Sequence, residues 1–195
     1  MRNAAAVIAL ALCALAHLPF DRGDRIEFTY DDADFVVANA SIRSLGGGLA
    51  ALVAPFPPEQ PERGLYRPLT NLSYAVDRAL FGDGARGPHA VQTLLYVVVV
   101  WLVYALALHW FDRPFTAFAA ALVFAAHPVH TEAVDSIAAR SELLALGFAL
   151  GSWWLFARGT RPGAARPRLA GALSALLYAC ACLSKETGAL LPAAL

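Results

Sequence analysis

Residues 90 to 110 read AVQTLLYVVVVWLVYALALHW and contain no Asp, Glu, Lys or Arg. The run has about the ~20 residues an α-helix needs to cross a ~30 Å hydrocarbon core, so it predicts a membrane-spanning helix and sets the class of the chain. Outward from it, further apolar runs occupy 4–20, 115–126, 143–157 and 169–183. Together they predict spans at about 4–20, 90–110, 112–127, 141–157 and 169–183, with the start of a further span at 188–195. The expected fold class is therefore all-α, a polytopic transmembrane helical bundle forming one incomplete membrane domain over 1–195. A composition of 58% hydrophobic against 15% charged residues argues against a water-soluble domain. The net charge is zero and basic residues sit at span ends, which leaves no patch for a nucleic acid.

Orientation follows from the Arg residues that flank the spans. Arg2 precedes the first span, and the loop at 158–168 carries Arg158, Arg161, Arg166 and Arg168, so both are expected in the cytoplasm. The turn FDRP at 111–114 adds little, because Asp112 offsets Arg113. The first run also fits a secretory signal, since Ala14-Leu15-Ala16 has the small-x-small cleavage pattern. Its continuation through His17 and Phe20 favours retention. Either way residues 21–89 form an extracytoplasmic loop. Two pieces of that loop predict helices along the membrane surface, at 31–45 and at 68–82. The second has Pro68 in its first turn, Gly82 as its stop, and an apolar side of Leu69, Leu72, Ala75, Val76, Leu80 and Phe81. GGG at 46–48 and PFPPEQPERG at 55–64 predict an irregular connection. No 34-residue repeat is visible.

The third to fifth spans hold only 12 to 15 strictly apolar residues, a rise of ~18 to 22 Å. Their polar ends, HPVHTE at 127–132, AARSE at 138–142 and SKE at 184–186, all fall on the outer side. Ionisable groups recessed in a membrane are costly and usually line a cavity. His127, His130, Glu132, Arg140, Glu142, Lys185 and Glu186 are therefore expected to border a wet cleft. A metal set in HPVHTE is disfavoured, because Pro128 interrupts the helix and the spacing is not HExxH. Cys13, Cys180 and Cys182 lie in apolar runs, and the last two point roughly 200° apart on a helix, so they read as packing. Trp101, Trp110, Trp153 and Trp154 read as packing and interfacial anchors, and His17, His89 and His109 as ordinary interface residues.

The series YDDADFVVAN, GLYRPLTNLSYAVDRALFG, HAVQTLLY, FAAHPVHTEAVDSIAARSELLA and LSKETGALLPAAL resembles, in order, the amino-terminal membrane region of the transmembrane-and-TPR (TMTC) family. Those proteins group with the protein O-mannosyltransferases in the GT-C class of glycosyltransferases. HPVHTEAV and LSKET carry most of the resemblance. Members of the family continue through more spans and often a TPR array, so the 195 residues are expected to be an N-terminal fragment.

The resemblance implies inverting transfer of a sugar from a polyprenyl-phosphate donor to a protein or glycan acceptor on the outer face. Such a reaction needs a carboxylate to take the acceptor proton and cationic or N–H groups to hold the departing phosphate. Asp31 and Asp32 match the acidic pair in the first external loop of the protein O-mannosyltransferases, with Asp31 implied as the base and Asp32 as a group that positions the acceptor. Arg140 and Lys185 are the candidates for the phosphate. His130, Glu132 and Glu186 are expected to hydrogen-bond substrate, and His127 to cap the kinked span. Tyr66 and Arg67 of YRPL stand either at the mouth or in the framework. No cofactor is expected, a divalent metal being disfavoured, and the partners implied are the lipid-linked donor, the protein or glycan acceptor and the lipid bilayer. The competing reading is a non-enzymatic anchor or scaffold for a TPR array, and a transporter is a third, because intramembrane charges also mark permeation paths.

Overall fold

The computed structural model of the protein describes residues 10, 11, 27, 28 and 31–194. The expectations for the first span and its cleavage site, and for Cys13 and His17, fall outside these residues, save that Leu10 is buried against the bundle. Among the described residues there are helices and turns and no strand, so the chain is all-α.

The helices are α1 (Leu45–Ala50), α2 (Pro68–Phe81), α3 (Arg86–Phe111), α4 (Pro114–Ala126), α5 (His130–Asp135), α6 (Arg140–Gly159) and α7 (Pro167–Ser184). A 3-10 stretch, Glu186–Ala194, follows α7. Two of the helices, Arg86–Phe111 and Pro167–Ser184, are long and apolar enough to cross a membrane. α4 is apolar but has 13 residues, about 20 Å of helix.

α3 and α4 form a hairpin. Asp112 closes α3 in the left-handed conformation at φ 49°, and Pro114 opens α4, where its missing N–H costs nothing. Ala117, Ala121 and Ala125 recur every four residues, are fully buried, and let α4 lie close against Tyr96, Val100, Tyr104 and Ala107. Pro128 ends α4 as its position predicts. The carbonyls freed at that end accept the Tyr96 hydroxyl, at 3.3 Å from Phe124 and 3.1 Å from Ala125.

α6 and α7 form a second hairpin with close backbones. Ser152 Oγ donates to Ser174 O at 2.8 Å and Ser174 Oγ to Ser152 O at 2.9 Å, a reciprocal pair across the interface. Gly159 leaves no room for a side chain, since an added Cβ would come within 2.8 Å of the Ala170 methyl. Small residues thus permit close approach, as their frequency in these runs predicts. Edge-on pairs Trp101–Trp154 and Trp110–Trp153 join α3 to α6.

Over one end of the bundle sits a layer made of α1, α2 and the short turns around them. Its core is Phe35, Val36, Ile42, Phe56, Tyr74, Ala75, Ala85 and Ile137, with Phe35 and Phe56 stacked at 5.2 Å. Two expectations are corrected by this layer. The stretch 31–45 is not one helix. It is a π turn at Ala33–Val37 and a 3-10 turn at Ala40–Arg43, because the Asn39 side chain accepts from Ser41 N and stops the first. The GGG run is helical, inside α1, because Gly47 and Gly48 let it press on Ser41 O and the Ala75 methyl.

The helix expected at 68–82 is α2. Its bounds agree with the sequence, from Pro68 to a stop at Gly82 with φ 75°. Its buried side is Thr70, Asn71, Tyr74, Ala75 and Asp77, while Val76, Leu80 and Phe81 are exposed. Polar partners from distant segments make the burial of its polar side favourable. Asn39 Nδ2 donates to Asn71 Oδ1 at 2.8 Å, and Thr70 Oγ1 donates to Ser184 O at 2.8 Å.

Candidate functional site

A cavity of about 800 Å³ opens between the outer layer, the turn before α6, and the segment after α7. Its polar rim is Asp31, Arg67, His130, Glu132, Glu142 and Lys185. Leu143, Leu146, Leu150 and Trp153 of α6 also line it. Spaced three to four residues apart, they form one continuous apolar face running from the rim down the helix.

The breaks in the helices are what place the polar groups. Pro128 turns the chain out of α4, so His130 on α5 folds back over Phe124 at 4.2 Å and Tyr96 at 5.7 Å. α7 ends at Ser184, and Lys185 in extended conformation swings its amine to the Glu142 carboxylate. Arg67 and Glu186 form a forked pair, with Nη2 donating at 2.9 Å and Nε at 3.2 Å. Burial pushes the Glu186 carboxyl up, but the Arg67 hydrogen bonds and charge outweigh it, and the net shift is downward.

The two acids of the Asp31-Asp32 pair part company. Asp31 is exposed at the rim, while its backbone carbonyl accepts from the N–H groups of Asp34 and Phe35. Asp32 is fully buried; its Oδ1 accepts from Ala138 N at 2.6 Å and Ser136 Oγ at 3.3 Å. Asp31 therefore lines the cavity and Asp32 does not.

Arg140 is also placed otherwise than expected. It is fully buried and does not line the cavity. Its guanidinium bonds to Asp77, donates to Gln92 Oε1 at 3.2 Å and to Pro88 O at 2.9 Å, and lies over the Tyr74 ring at 5.1 Å. Burial pushes the Asp77 carboxyl up and Arg140 pulls it back, the net being upward. Arg140 is thus the hub that joins α2, α3 and α6.

Of the remaining candidates, Glu186 is paired beside the cavity without lining it, and His127 is an exposed C-cap whose Nδ1 accepts from Val129 N at 3.2 Å. Tyr66 belongs to the framework, its hydroxyl donating to Leu52 O at 2.7 Å. His89 is buried at 4% exposure, not interfacial. Among the described residues, no three His, Cys, Asp or Glu side chains gather as a metal set. The sequence reading missed Asp77, Tyr74 and Gln92 as partners. Gln92 had a legible signal, as an amide in an otherwise apolar span.

Comparison with known proteins bears directly on this geometry. The model of the dolichyl-phosphate-mannose-protein mannosyltransferase family matches residues 67–195, which hold Arg67, His130, Glu132, Glu142 and Lys185. The chain belongs to this mannosyltransferase family. Mouse protein O-mannosyl-transferase TMTC1 is 35% identical over 202 residues, covering 95% of this chain and 21% of its own length. Human TMTC1 is 32% identical over 208 residues, covering 95% of this chain and 22% of its own. The Drosophila melanogaster protein O-mannosyl-transferase Tmtc2 is 32% identical over 189 residues, with 91% and 20% covered. The chain thus spans about a fifth of the length of these relatives. The TMTC1 matches extend upstream of residue 67 into the outer layer, where the family model does not reach. No solved structure matches the chain. Family membership and the two long apolar helices together identify a membrane protein of the mannosyltransferase family.

Proposed function

We propose that this chain belongs to a membrane glycosyltransferase of the GT-C type, which moves a sugar from a polyprenyl-phosphate donor to a hydroxyl of a protein or glycan. Asp31 takes the acceptor proton as the hydroxyl oxygen bonds to the anomeric carbon. The bond from that carbon to the phosphate oxygen breaks, and the phosphate leaves with the electron pair. Attack opposite the leaving group inverts the anomeric centre. Lys185 and Arg67 receive the phosphate charge, and His130 and Glu132 hydrogen-bond the sugar. The polyprenyl chain lies along Leu143, Leu146, Leu150 and Trp153.

The observation that carries this reading is one cavity with an exposed carboxylate and two cations at its rim, continuous with an apolar face along α6. α4 and α6 complete a polytopic bundle beside α3 and α7, the two helices long and apolar enough to cross a membrane, with loop 158–168 in the cytoplasm and the cavity on the other side. That arrangement matches the basic residues at 158–168.

The test is Asp31→Asn in the full-length protein, assayed with polyprenyl-phosphate mannose and an acceptor peptide. Turnover should fall by about 10²- to 10⁴-fold, the usual worth of a general base, with membrane insertion intact. Unchanged turnover removes Asp31 as base. A specific observation favours a second reading, a non-enzymatic scaffold: both rim cations already hold resident carboxylates, Glu142 and Glu186. In that case the wild type transfers no sugar from any polyprenyl-phosphate donor.

A further inference from the structure

The side chain of Asp32 points away from the cavity into the joint between the outer layer and the bundle. Its partners, Ala138 N at 2.6 Å and Ser136 Oγ at 3.3 Å, belong to the turn that leads into α6, more than a hundred residues along the chain. That turn is itself fixed from two other elements. Gln92 Nε2 of α3 donates to Ala133 O at 2.6 Å and to Ser136 O at 3.0 Å. The Tyr74 hydroxyl of α2 donates to Ile137 O at 2.9 Å and reaches Ala138 O at 3.3 Å. Ile137 between them is fully buried. The turn is therefore an immobile post, and the residue tied to it is the direct neighbour of the exposed Asp31.

We infer that Asp32 is a positioning residue: its carboxylate clamps the outer layer to the turn before α6 and so holds the Asp31 carboxylate over the cavity. The clamp needs an acceptor oxygen at that place and does not need Asp32 to exchange a proton or to touch substrate. A carboxylate is the stronger acceptor for a backbone N–H, which suits a joint between distant segments. An amide oxygen of the same shape retains the bond in weaker form. The same turn carries α5 at its other end, so the clamp also sets the distance from Asp31 to His130 and Glu132. The inference rests on the reading of Asp31 as the base, and its test separates the two.

The experiment uses the full-length protein with Asp32→Asn, Asp32→Ala and Asp31→Asn, read by kcat, by KM for an acceptor peptide, by the pH profile, and by amide hydrogen exchange at Ala138. Asp32→Asn should lower kcat by less than about tenfold, since a neutral acceptor is somewhat weaker than a charged one. It should leave acceptor KM and the acid limb of the profile in place, with the Ala138 amide still protected. Asp32→Ala should lose about 10²-fold in kcat, the scale of a displaced reacting group, and unprotect Ala138. The proposal is overturned if Asp32→Asn loses as much as Asp31→Asn or abolishes the acid limb, since Asp32 then takes the proton itself. It is equally overturned if the acceptor KM rises at constant kcat, which marks direct contact, or if Ala138 stays protected in Asp32→Ala. Should Asp32→Ala fail to fold, the kinetics of Asp32→Asn decide alone. If the wild type transfers no sugar, the base assignment fails, while exchange at Ala138 still decides whether the clamp exists.

Discussion

A fully buried guanidinium in an apolar bundle persists only where its N–H groups and its charge are matched, and Arg140 meets that demand through Asp77, Gln92 and Pro88. Breaking one side leaves an uncompensated buried charge. Asp77→Ala should therefore cost about 3–5 kcal/mol, whereas the double variant Asp77→Leu with Arg140→Met should cost far less, as measured by denaturant unfolding in detergent. Lys185 is different in kind, because it lines the cavity and is partly exposed. Lys185→Ala should raise the donor KM while leaving the acceptor KM in place, and equal rises in both would assign it to folding instead. Sequence reading grouped Arg140 and Lys185 together because each is a cation at a span end. Nothing local distinguishes the one whose partner lies 63 residues away from the one at the rim.

At the scale of elements, α2 is the instructive case. Its bounds were legible, since Pro68 and Gly82 act through local backbone geometry. The partners of its polar side were not. Asn71, Thr70 and Asp77 turn inward because each has a buried partner on another segment, and Val76, Leu80 and Phe81 stay exposed. Asn71→Leu, which makes the helix more regular in its apolar pattern, should nevertheless destabilise the protein by about 1–3 kcal/mol, because Asn39 loses its buried acceptor. A thermal unfolding shift toward lower temperature checks this, and a stabilised variant would show that the Asn39–Asn71 bond does not hold the layer. The 31–45 stretch failed as a single helix for a related reason: Asn39 offers the backbone a local hydrogen bond that competes with helix propagation.

Across the whole molecule, the outer layer and the end of the bundle are strapped together at Arg67–Glu186 and Thr70–Ser184. The strap fixes Lys185 between them. Glu186 titrates below its ordinary value of 4.5 in the folded protein. A lowered carboxyl contributes stability that is fully present above that value and is lost as pH falls through the folded one. Acidification from neutral to below about 4.5 should therefore loosen the strap, seen as a lower protection factor, taken against the intrinsic amide rate at each pH, at Lys185 and Gly188. Arg67→Gln should abolish that pH dependence. Protection factors that do not change with pH in the wild type would mean that the pair does not hold the layers together.

What the sequence determined by itself is whatever depends on neighbours along the chain. The apolar runs that became Arg86–Phe111 and Pro167–Ser184, the break at Pro128, and the placing of charged clusters at helix ends all follow from transfer energies and backbone stereochemistry within a few residues. Only the tertiary structure decided which charged residues turn inward. Asp31 from Asp32, and Lys185 from Arg140, part according to hydrogen-bond partners more than forty residues away. Periodicity records how much a segment gains on leaving water. It holds no record of which distant polar group will be waiting when it arrives.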